Sequence, residues 1–321
     1  MSFVHTRIFG VDIGGTRIKA GAVDTLGHVA DETVWAIGDA DVGRTPEALA
    51  RGLAHWADAI DPRRSVPIGV AVAGVINQGA GLIRESPNFP AWRDVPFARV
   101  LAEASGRRVV LDNDANAVVL GEAVWGAGRG AESLVGYTLG TGVGGGIVLD
   151  GRLWRGMRGM AGELGHVTVV PDGRACGCGN HGCLEQYVGR VGLVQTWRAL
   201  AAEAPGGLPA LAEGIDDSDI PAGLARAAGD GHPVARAIWN GVGRFLGQAA
   251  AALVHTLDVQ RIVVAGGVAG AFEHFASAME AEIRARTFRS MAAGVVVAQG
   301  TLGVTAGIVG ASAVARSALE G

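Results

Sequence analysis

The sequence predicts an α/β protein of two domains, each a mixed sheet with helices, with a cleft between them. Three observations predict it. The chain has 321 residues, where one domain usually takes about 100–200. Short apolar runs alternate with helical segments along its length. A pattern of strand, Gly/Thr turn and strand occurs twice, from Ile8 to Val23 and from Leu134 to Leu149, which points to two related α/β halves. Hydrophobic residues at 49% and charged residues at 18% allow a sizeable core and exclude a disordered chain.

Taken in order, Ile8 to Val11 and Ile18 to Val23 are strands around the turn Asp12-Ile13-Gly14-Gly15-Thr16. Thr45-Pro46-Glu47 supplies an N-cap, a first-turn proline and a first-turn acid, so a helix runs from there to about Ile60. Pro67 to Val72 reads as a buried strand, and Phe97 to Ala104 as a short helix stopped by Gly106. Val109 to Leu111 is a strand, and the chain is helical from Ala115. In the second hairpin, Leu134 to Leu139 and Ile147 to Leu149 are strands and Gly140 to Gly146 is the turn. Gly189 to Glu203 is helical, and Pro205 to Asp230 reads as loops with short helices. Pro233 to Leu257 is a long helix with Ile238, Val242, Phe245, Ala249 and Leu253 on one face. Arg261 to Ala265 is a buried strand that ends in Gly266-Gly267, and Thr301 to Ala318 is a closing helix. The expected small domain is 1–118, completed by a helix at about 302–318, and the large domain is 119–301.

A net charge of -4 and a pI near 6.1 argue against a protein whose main task is to grip nucleic-acid phosphates. The three Cys all lie between Cys176 and Cys183, an odd cluster that makes no disulfide framework and suggests a reducing compartment and a metal. Met1 to Gly10 has no signal-type apolar stretch, and runs such as Ala249 to Val254 are far shorter than the ~20 residues of a membrane span. The expectation is a soluble cytoplasmic protein with neither membrane nor nucleic acid as partner.

The glycines of Asp12-Ile13-Gly14-Gly15-Thr16 let a turn present backbone N–H groups to phosphate oxygens. Thr16 adds a hydroxyl, and Asp12 is suited to Mg²⁺ or its water shell. An ordinary hairpin turn is the alternative. Gly140-Thr141-Gly142 repeats the Gly/Thr chemistry, with close backbone packing as its alternative. Neither matches the P-loop, and neither is a Rossmann turn, because each leads into a strand. Gly266-Gly267 is a third candidate nucleotide contact or a plain strand-to-helix turn. His166, Cys176, Cys178 and Cys183 fit a closed tetrahedral Zn²⁺ site of structural type. His181 is a rival fourth ligand, and three free thiols are the alternative. Glu163, Glu185, Asn88 and Asp112-Asn113-Asp114-Ala115-Asn116 supply carboxylates and amides suited to sugar hydroxyls. Asp114 is placed either to accept a hydroxyl proton or to cap the helix that follows.

Cys176-Gly-Cys-Gly-Asn-His-Gly-Cys-Leu-Glu185, Gly162-Glu-Leu-Gly-His166, the Asp-Ile-Gly-Gly-Thr turn and Asn113-Asp-Ala-Asn116 together resemble the ROK family (repressor, open reading frame, kinase). The resemblance runs from Asp12 to Gly267. It implies the actin-like ATPase, or ribonuclease H-like, fold and an ATP-dependent kinase for a hexose 6-hydroxyl, glucose first. Kinases for fructose, mannose or an N-acetylhexosamine are the alternatives, followed by a non-catalytic sugar-sensing regulator. It implies that Asp114 is the catalytic base and that Asp12, Gly14, Gly15, Thr16, Gly140, Thr141 and Gly142 serve MgATP. Gly266 and Gly267 then lie near the adenosine, and Asn88, Asn113, Glu163, His166 and Glu185 contact the sugar. His166 would serve zinc with one nitrogen and sugar with the other, which favours it over His181. ATP is the expected donor, with polyphosphate as the other possibility, and the assembly a homodimer or homotetramer. Ala73-Gly74 stands where members often carry Pro-Gly, and Asp112 where Glu is common; neither is expected to touch the chemistry. About seven residues precede the first strand, so the DNA-binding domain of the repressor branch is not expected.

Overall fold

A computed structural model of the chain describes residues 7–38, 44–203 and 216–320. Residues 205–215, the first part of the expected loop region, lie outside the described residues. The chain divides into two units: Met1–Gly130 with Gly146–Gly162 and Thr301–Gly321, and Ala131–Gly145 with Glu163–Gly300.

The first unit opens with β1 (Arg7–Ile13), β2 (Arg17–Asp24) and β3 (Val29–Ala36), followed by α1 (Pro46–Ile60) and β4 (Ile68–Val72). Three short strands, β5 (Val75–Asn77), β6 (Leu82–Glu85) and β7 (Arg93–Val95), form a small antiparallel sheet. Then come α2 (Phe97–Ser105), β8 (Val109–Asn113) and α3 (Asp114–Trp125). The main sheet has the order β3-β2-β1-β4-β8, antiparallel through β3-β2-β1 and parallel through β1-β4-β8. Successive side chains of β1 alternate between faces. Phe9, Val11 and Ile13 join Leu49, Leu53 and Trp56 of α1 and Phe97 and Leu101 of α2 in one core. Thr45 Oγ1 accepts from the Ala48 N–H at 3.2 Å, so the expected cap opens α1. Gly106, at φ 66°, ends α2 as expected.

The chain continues through β9 (Leu134–Leu139), β10 (Val143–Leu149) and β11 (Arg152–Leu153). After these come α4 (Glu185–Val188), α5 (Arg190–Glu203), α6 (Ile220–Gly229), α7 (Pro233–Leu257), β12 (Arg261–Ala265), α8 (Phe272–Arg286), α9 (Arg289–Ala292) and β13 (Val296–Gln299). The second sheet has the order β11-β10-β9-β12-β13, and β10 runs across the chain division at Gly145/Gly146. Counted along the chain, each five-stranded sheet therefore has the order 3-2-1-4-5, which supports the reading of two related halves. The second turn is shorter than expected: Val143 to Gly146 already belong to β10, leaving Gly140 to Gly142 as the turn. The buried stripe of α7 includes Ile238, Trp239, Val242, Leu246 and Ala249. Phe245 and Leu253 lie at its margin, because Gly243 and Gly247 bring α7 against the backbone of α8.

The last helix, α10 (Ala306–Glu320), starts later than expected, after a short 3-10 turn at Gly303–Thr305. It lies on the opposite face of the first sheet from α1 and α2, and a Cβ at Gly10 or Gly69 would overlap the Ile308 or Ala311 carbonyl. The boundary expected at residues 118/119 falls inside α3, all of which belongs to the first unit.

Arg107 is a buried cation that the sequence pattern does not reveal. Its Nη1 donates to Asp61 Oδ2 at 2.6 Å and its Nη2 to Asp58 Oδ1 at 3.1 Å and the Ala57 carbonyl at 3.2 Å, so it ties α1 to the start of β8. Removing one partner of a buried ion pair typically costs about 3–5 kcal/mol. Arg107→Ala is expected to lose about that much unfolding free energy in urea titrations; a loss below about 1 kcal/mol, the scale of an exposed pair, would contradict this account.

Candidate active site and metal centre

In the first unit, the strand ends of β1 and β8 carry the acidic candidates. Asp12 lies one residue before the end of β1 and pairs in register with Lys19 of β2. The Gly14 N–H donates to the Arg17 carbonyl at 3.0 Å and closes the turn, leaving Gly15 and Thr16 exposed. Asn88 stands beside Gly15, where a Cβ would come within 2.8 Å of its Oδ1.

Asn113, not Asp114, is the N-cap of α3: its Oδ1 accepts from the Ala115 N–H at 2.9 Å and the Asn116 N–H at 3.1 Å. Its Nδ2 donates to the Gly74 carbonyl at 3.0 Å, which leaves one amide N–H for a ligand. Asp114 is the first helical residue, and its Oδ1 accepts from the Ala115 N–H at 2.9 Å. Burial raises its pKa against the opposing pull of that N–H. Burial, and then the charge of Asp114, push Asp12 up to about 6 against the attraction of Lys19. The two half-buried carboxylates thus form a like-charge pair with a local deficit of positive charge.

Asp112 supports the segment that carries Asn113 and Asp114. It is buried, and its Oδ1 accepts from the Asn113 N–H at 2.8 Å and Asn116 Nδ2 at 3.3 Å. Its Oδ2 accepts from both Nε and Nη2 of Arg155 at 2.7 Å. This charged pair, two N–H groups on one oxygen, braces the strand end at Asn113, next to Asp114. A single Arg among 27 basic residues gives no sequence signal for such a partner 43 positions away.

In the second unit, the Gly140 N–H donates to the Gly142 carbonyl at 3.0 Å. Arg190, which the sequence reading missed, opens α5 with its N–H on the Gly140 carbonyl at 3.0 Å and its Nη2 on Thr141 Oγ1 at 2.9 Å. Glu185 stands beside the turn, since a Cβ at Gly142 would come within 2.6 Å of its Oε2. Gly266 takes φ 95°, and a Cβ there would overlap the Leu139 backbone. Gly267 lines a cavity of about 280 Å³ with Pro221, Ala222 and Ala225 of α6. Those α6 residues carry no motif, and only the fold brings them there.

His166, Cys176, Cys178 and Cys183 offer four ligand atoms within 4.8 Å of one another, a set that could hold a metal ion. His181, the rival, is outside this set. Cys176 Sγ lies 3.5 Å from His166 Nδ1, and Cys178 Sγ lies 3.6 Å from Cys183 Sγ. Backbone bonds fold the loop, among them the Cys176 N–H to the Asn180 carbonyl at 2.9 Å and the Leu184 N–H to the Val167 carbonyl at 2.9 Å. Glu163 Oε2 is 3.9 Å from His166 Nε2, and Glu185 Oε1 is 3.2 Å from Cys176 Sγ. The cluster therefore gathers three of the expected sugar contacts, Glu163, His166 and Glu185.

The raised pKa of Asp12 has a stability consequence. Between its ordinary 3.8 and about 6 the folded chain holds a proton that the unfolded chain releases, so this contribution is complete at low pH and is lost as pH rises through about 6. Two pKa units correspond to roughly 3 kcal/mol. Without added magnesium, Asp12→Asn is expected to be more stable than the parent by about 2–3 kcal/mol at pH 8 and by almost nothing near pH 4. Urea unfolding across that range checks it, and a pH-independent difference would contradict it.

The sequence model of the ROK family matches residues 8–318. A glucokinase of Thermotoga maritima is 33% identical over 316 residues, 98% of this chain and 99% of its own. A glucokinase of Streptomyces coelicolor is 35% identical over 315 residues, 96% of each chain. The crystal structure of a ROK family glucokinase from Streptomyces griseus in complex with glucose and AMPPNP is similar at a TM-score of 0.77 and 33% identity, covering 97% of this chain and 99% of its own. The α/β architecture is thus the actin-like ATPase fold of ROK sugar kinases. On sequence and structure alike, this chain belongs to the ROK family.

Proposed function

We propose that this chain is an ATP-dependent sugar kinase that phosphorylates the 6-hydroxyl of a hexose, with glucose as its substrate. The observation that carries the reading is the environment of Asp114, a half-buried carboxylate of raised pKa at the start of α3, next to a strand end braced by Asn113 and by Asp112 with Arg155. A carboxylate whose pKa is raised by burial is a stronger base once ionised. The full-length likeness to glucokinases supports the substrate.

In this reading Asp114 takes the proton of the 6-hydroxyl as that oxygen attacks the γ-phosphorus of ATP. Asn88, Asn113, Glu163, His166 and Glu185 hold the sugar hydroxyls and orient the attacking oxygen. Gly14, Gly15, Thr16, Gly140, Thr141 and Gly142 offer N–H and hydroxyl donors to the phosphates, with Arg190 as an added cation. Gly266 and Gly267 border the adenosine, for which the 280 Å³ cavity against α6 is the fitting place. Asp12 would hold Mg²⁺ or its water shell, whose charge neutralises the transferring phosphoryl group; the charge deficit around Asp12 and Asp114 fits a cation.

His166, Cys176, Cys178 and Cys183 would hold a structural Zn²⁺. Tetrahedral zinc, with bonds of about 2.3 Å to sulfur and 2.0–2.1 Å to nitrogen, needs edges of about 3.8 Å between sulfurs and about 3.6 Å from nitrogen to sulfur. The separations of 3.6 and 3.5 Å match within about 0.2 Å. Without a cation, burial pushes the Cys176 thiol up to about 12 and raises Cys183. A metal would stabilise the thiolates and fix His166 through Nδ1, leaving Nε2 for a hydroxyl.

Asp114→Asn is expected to lower kcat by about 10²–10⁴-fold, the usual worth of general-base assistance. Glucose Kd by calorimetry should change far less. Near-parental kcat in a coupled ADP-release assay would remove Asp114 from the reaction. The same assay with fructose, mannose and N-acetylhexosamines tests the substrate: a kcat/KM for any of them above that for glucose would reassign it. For the metal, elemental analysis is expected to find about one Zn²⁺ per chain. Cys178→Ser should lose the metal, unfold at lower temperature and bind glucose more weakly; a metal-free variant with parental glucose affinity would contradict the supporting role.

A further inference from the structure

Within the first unit, α3, β11 and α10 surround a cavity of about 460 Å³ that the proposed reaction does not use. Leu120 and Val124 of α3 and Leu153 of β11 give it apolar walls. Arg152, Arg155 and Arg316 also line it, and no acidic residue does. Three guanidinium groups thus line one cavity in a chain of net charge -4, and Asp112 pairs with one of them, Arg155. Arg152 has no ion-pair partner among the described residues, and the Arg316 guanidinium carbon sits 5.7 Å from the centre of the Trp125 ring. Arg155 is already spent on Asp112 through Nε and Nη2. Its Nη1 meets only a carbonyl at 3.5 Å, beyond good hydrogen-bond length.

We propose that this cavity is a regulatory site for a phosphate-bearing small molecule, and that its occupancy is felt at Asp114 through Arg155 and Asp112. Guanidinium groups match the oxygens of a phosphate in geometry and charge, while the leucine and valine walls suit a carbon skeleton. A phosphate drawn to Arg155 competes with Asp112 Oδ2 for the same cation. Asp112 also holds the Asn113 N–H and the Asn116 amide through Oδ1, so a weakened hold on Oδ2 loosens the end of β8 that carries Asp114. The ligand therefore slows turnover. The coupling half of this proposal rests on the kinase reading, whereas the binding half does not. A free phosphate ion and the phosphomonoester of a sugar, the product class of the proposed reaction, share this chemistry. The apolar walls favour the phosphomonoester.

The test is calorimetry on the full chain, saturated with glucose and AMPPNP so that substrate sites are occupied, at constant ionic strength. Inorganic phosphate and glucose 6-phosphate are titrated separately. One-site binding of glucose 6-phosphate is expected, tighter than that of phosphate. Arg152→Gln should weaken it by roughly tenfold or more, the scale of one charged hydrogen bond. Val124→Glu, which puts a carboxylate on an exposed wall residue, should do the same. Both variants keep the parental kcat and glucose KM. In the coupled assay, saturating ligand should lower the parental kcat by roughly fivefold or more and leave both variants unaffected. Absence of binding at millimolar concentrations, equal binding by parent and both variants, or binding with unchanged kcat each overturns the proposal. Phosphate binding more tightly than glucose 6-phosphate overturns the assignment of the ligand class. Should the parent phosphorylate no sugar, the kinase reading fails while the calorimetry still decides the binding site.

Discussion

The first unit depends on how closely α10 lies on its sheet. Gly10 and Gly69 admit the carbonyls of Ile308 and Ala311, and Gly310 meets the backbone of α3 at Ala117. At Gly307 the same helix closes over the Asp12 carboxylate, and a Cβ there would collide with it. Backbone contact of this kind removes water from the strand ends, which raises the pKa of Asp12. Part of the excess of glycine, 52 of 321 residues, therefore serves electrostatics as well as packing. Larger residues would lift the helix, readmit water and return Asp12 toward an ordinary surface carboxylate.

Much of this was legible in the sequence because it rests on local chemistry. The turns at Gly14 and Gly140, the Thr45 cap, the αL stop at Gly106 and the grouping of His166 with Cys176, Cys178 and Cys183 are all encoded within a few residues of one another. The expectations that failed required a competition between neighbours or a distant partner. Asn113 and Asp114 are both good caps, and the choice fell to Asn113 because β8 extends two residues further than its apolar run. Val143 to Gly146 looked like turn because glycine carries no period, yet the sheet holds them as strand. The three strands of the small sheet, only three or four residues each, are too short to show alternation.

The partners of three arginines were invisible for a different reason. Arg155 reaches Asp112 across 43 positions, Arg107 reaches Asp61 across 46 and Arg190 reaches Thr141 across 49. Each is a long flexible cation whose partner is set by the fold. The spacing of residues fixes a metal site because its ligands share one loop and one upstream residue, whereas ion pairs between elements follow from the register of strands and the rotation of helices. Family resemblance supplied the proposed roles of Asp114 and Glu185, and the geometry adds what surrounds them.

The shared 3-2-1-4-5 order of the two sheets has a consequence for how the halves have diverged. Superimposing their first turns by sequence places Asp12 opposite Thr138 and Gly14 opposite Gly140. The same position on the first strand carries a half-buried carboxyl group in one half and a neutral hydroxyl in the other. The fifth strands end at Asn113 in one sheet and at Gln299 in the other, so Asp112-Asn113-Asp114 is matched by Ala298-Gln299-Gly300. The two sheets thus differ in charge at matching positions: acids stand there in one and uncharged residues in the other, whose charged groups, Glu185 and Arg190, come from helices α4 and α5. Such a split spares the second sheet the cost of burying carboxylates in its own strands and leaves its charged groups to helices, which can change without altering the strands.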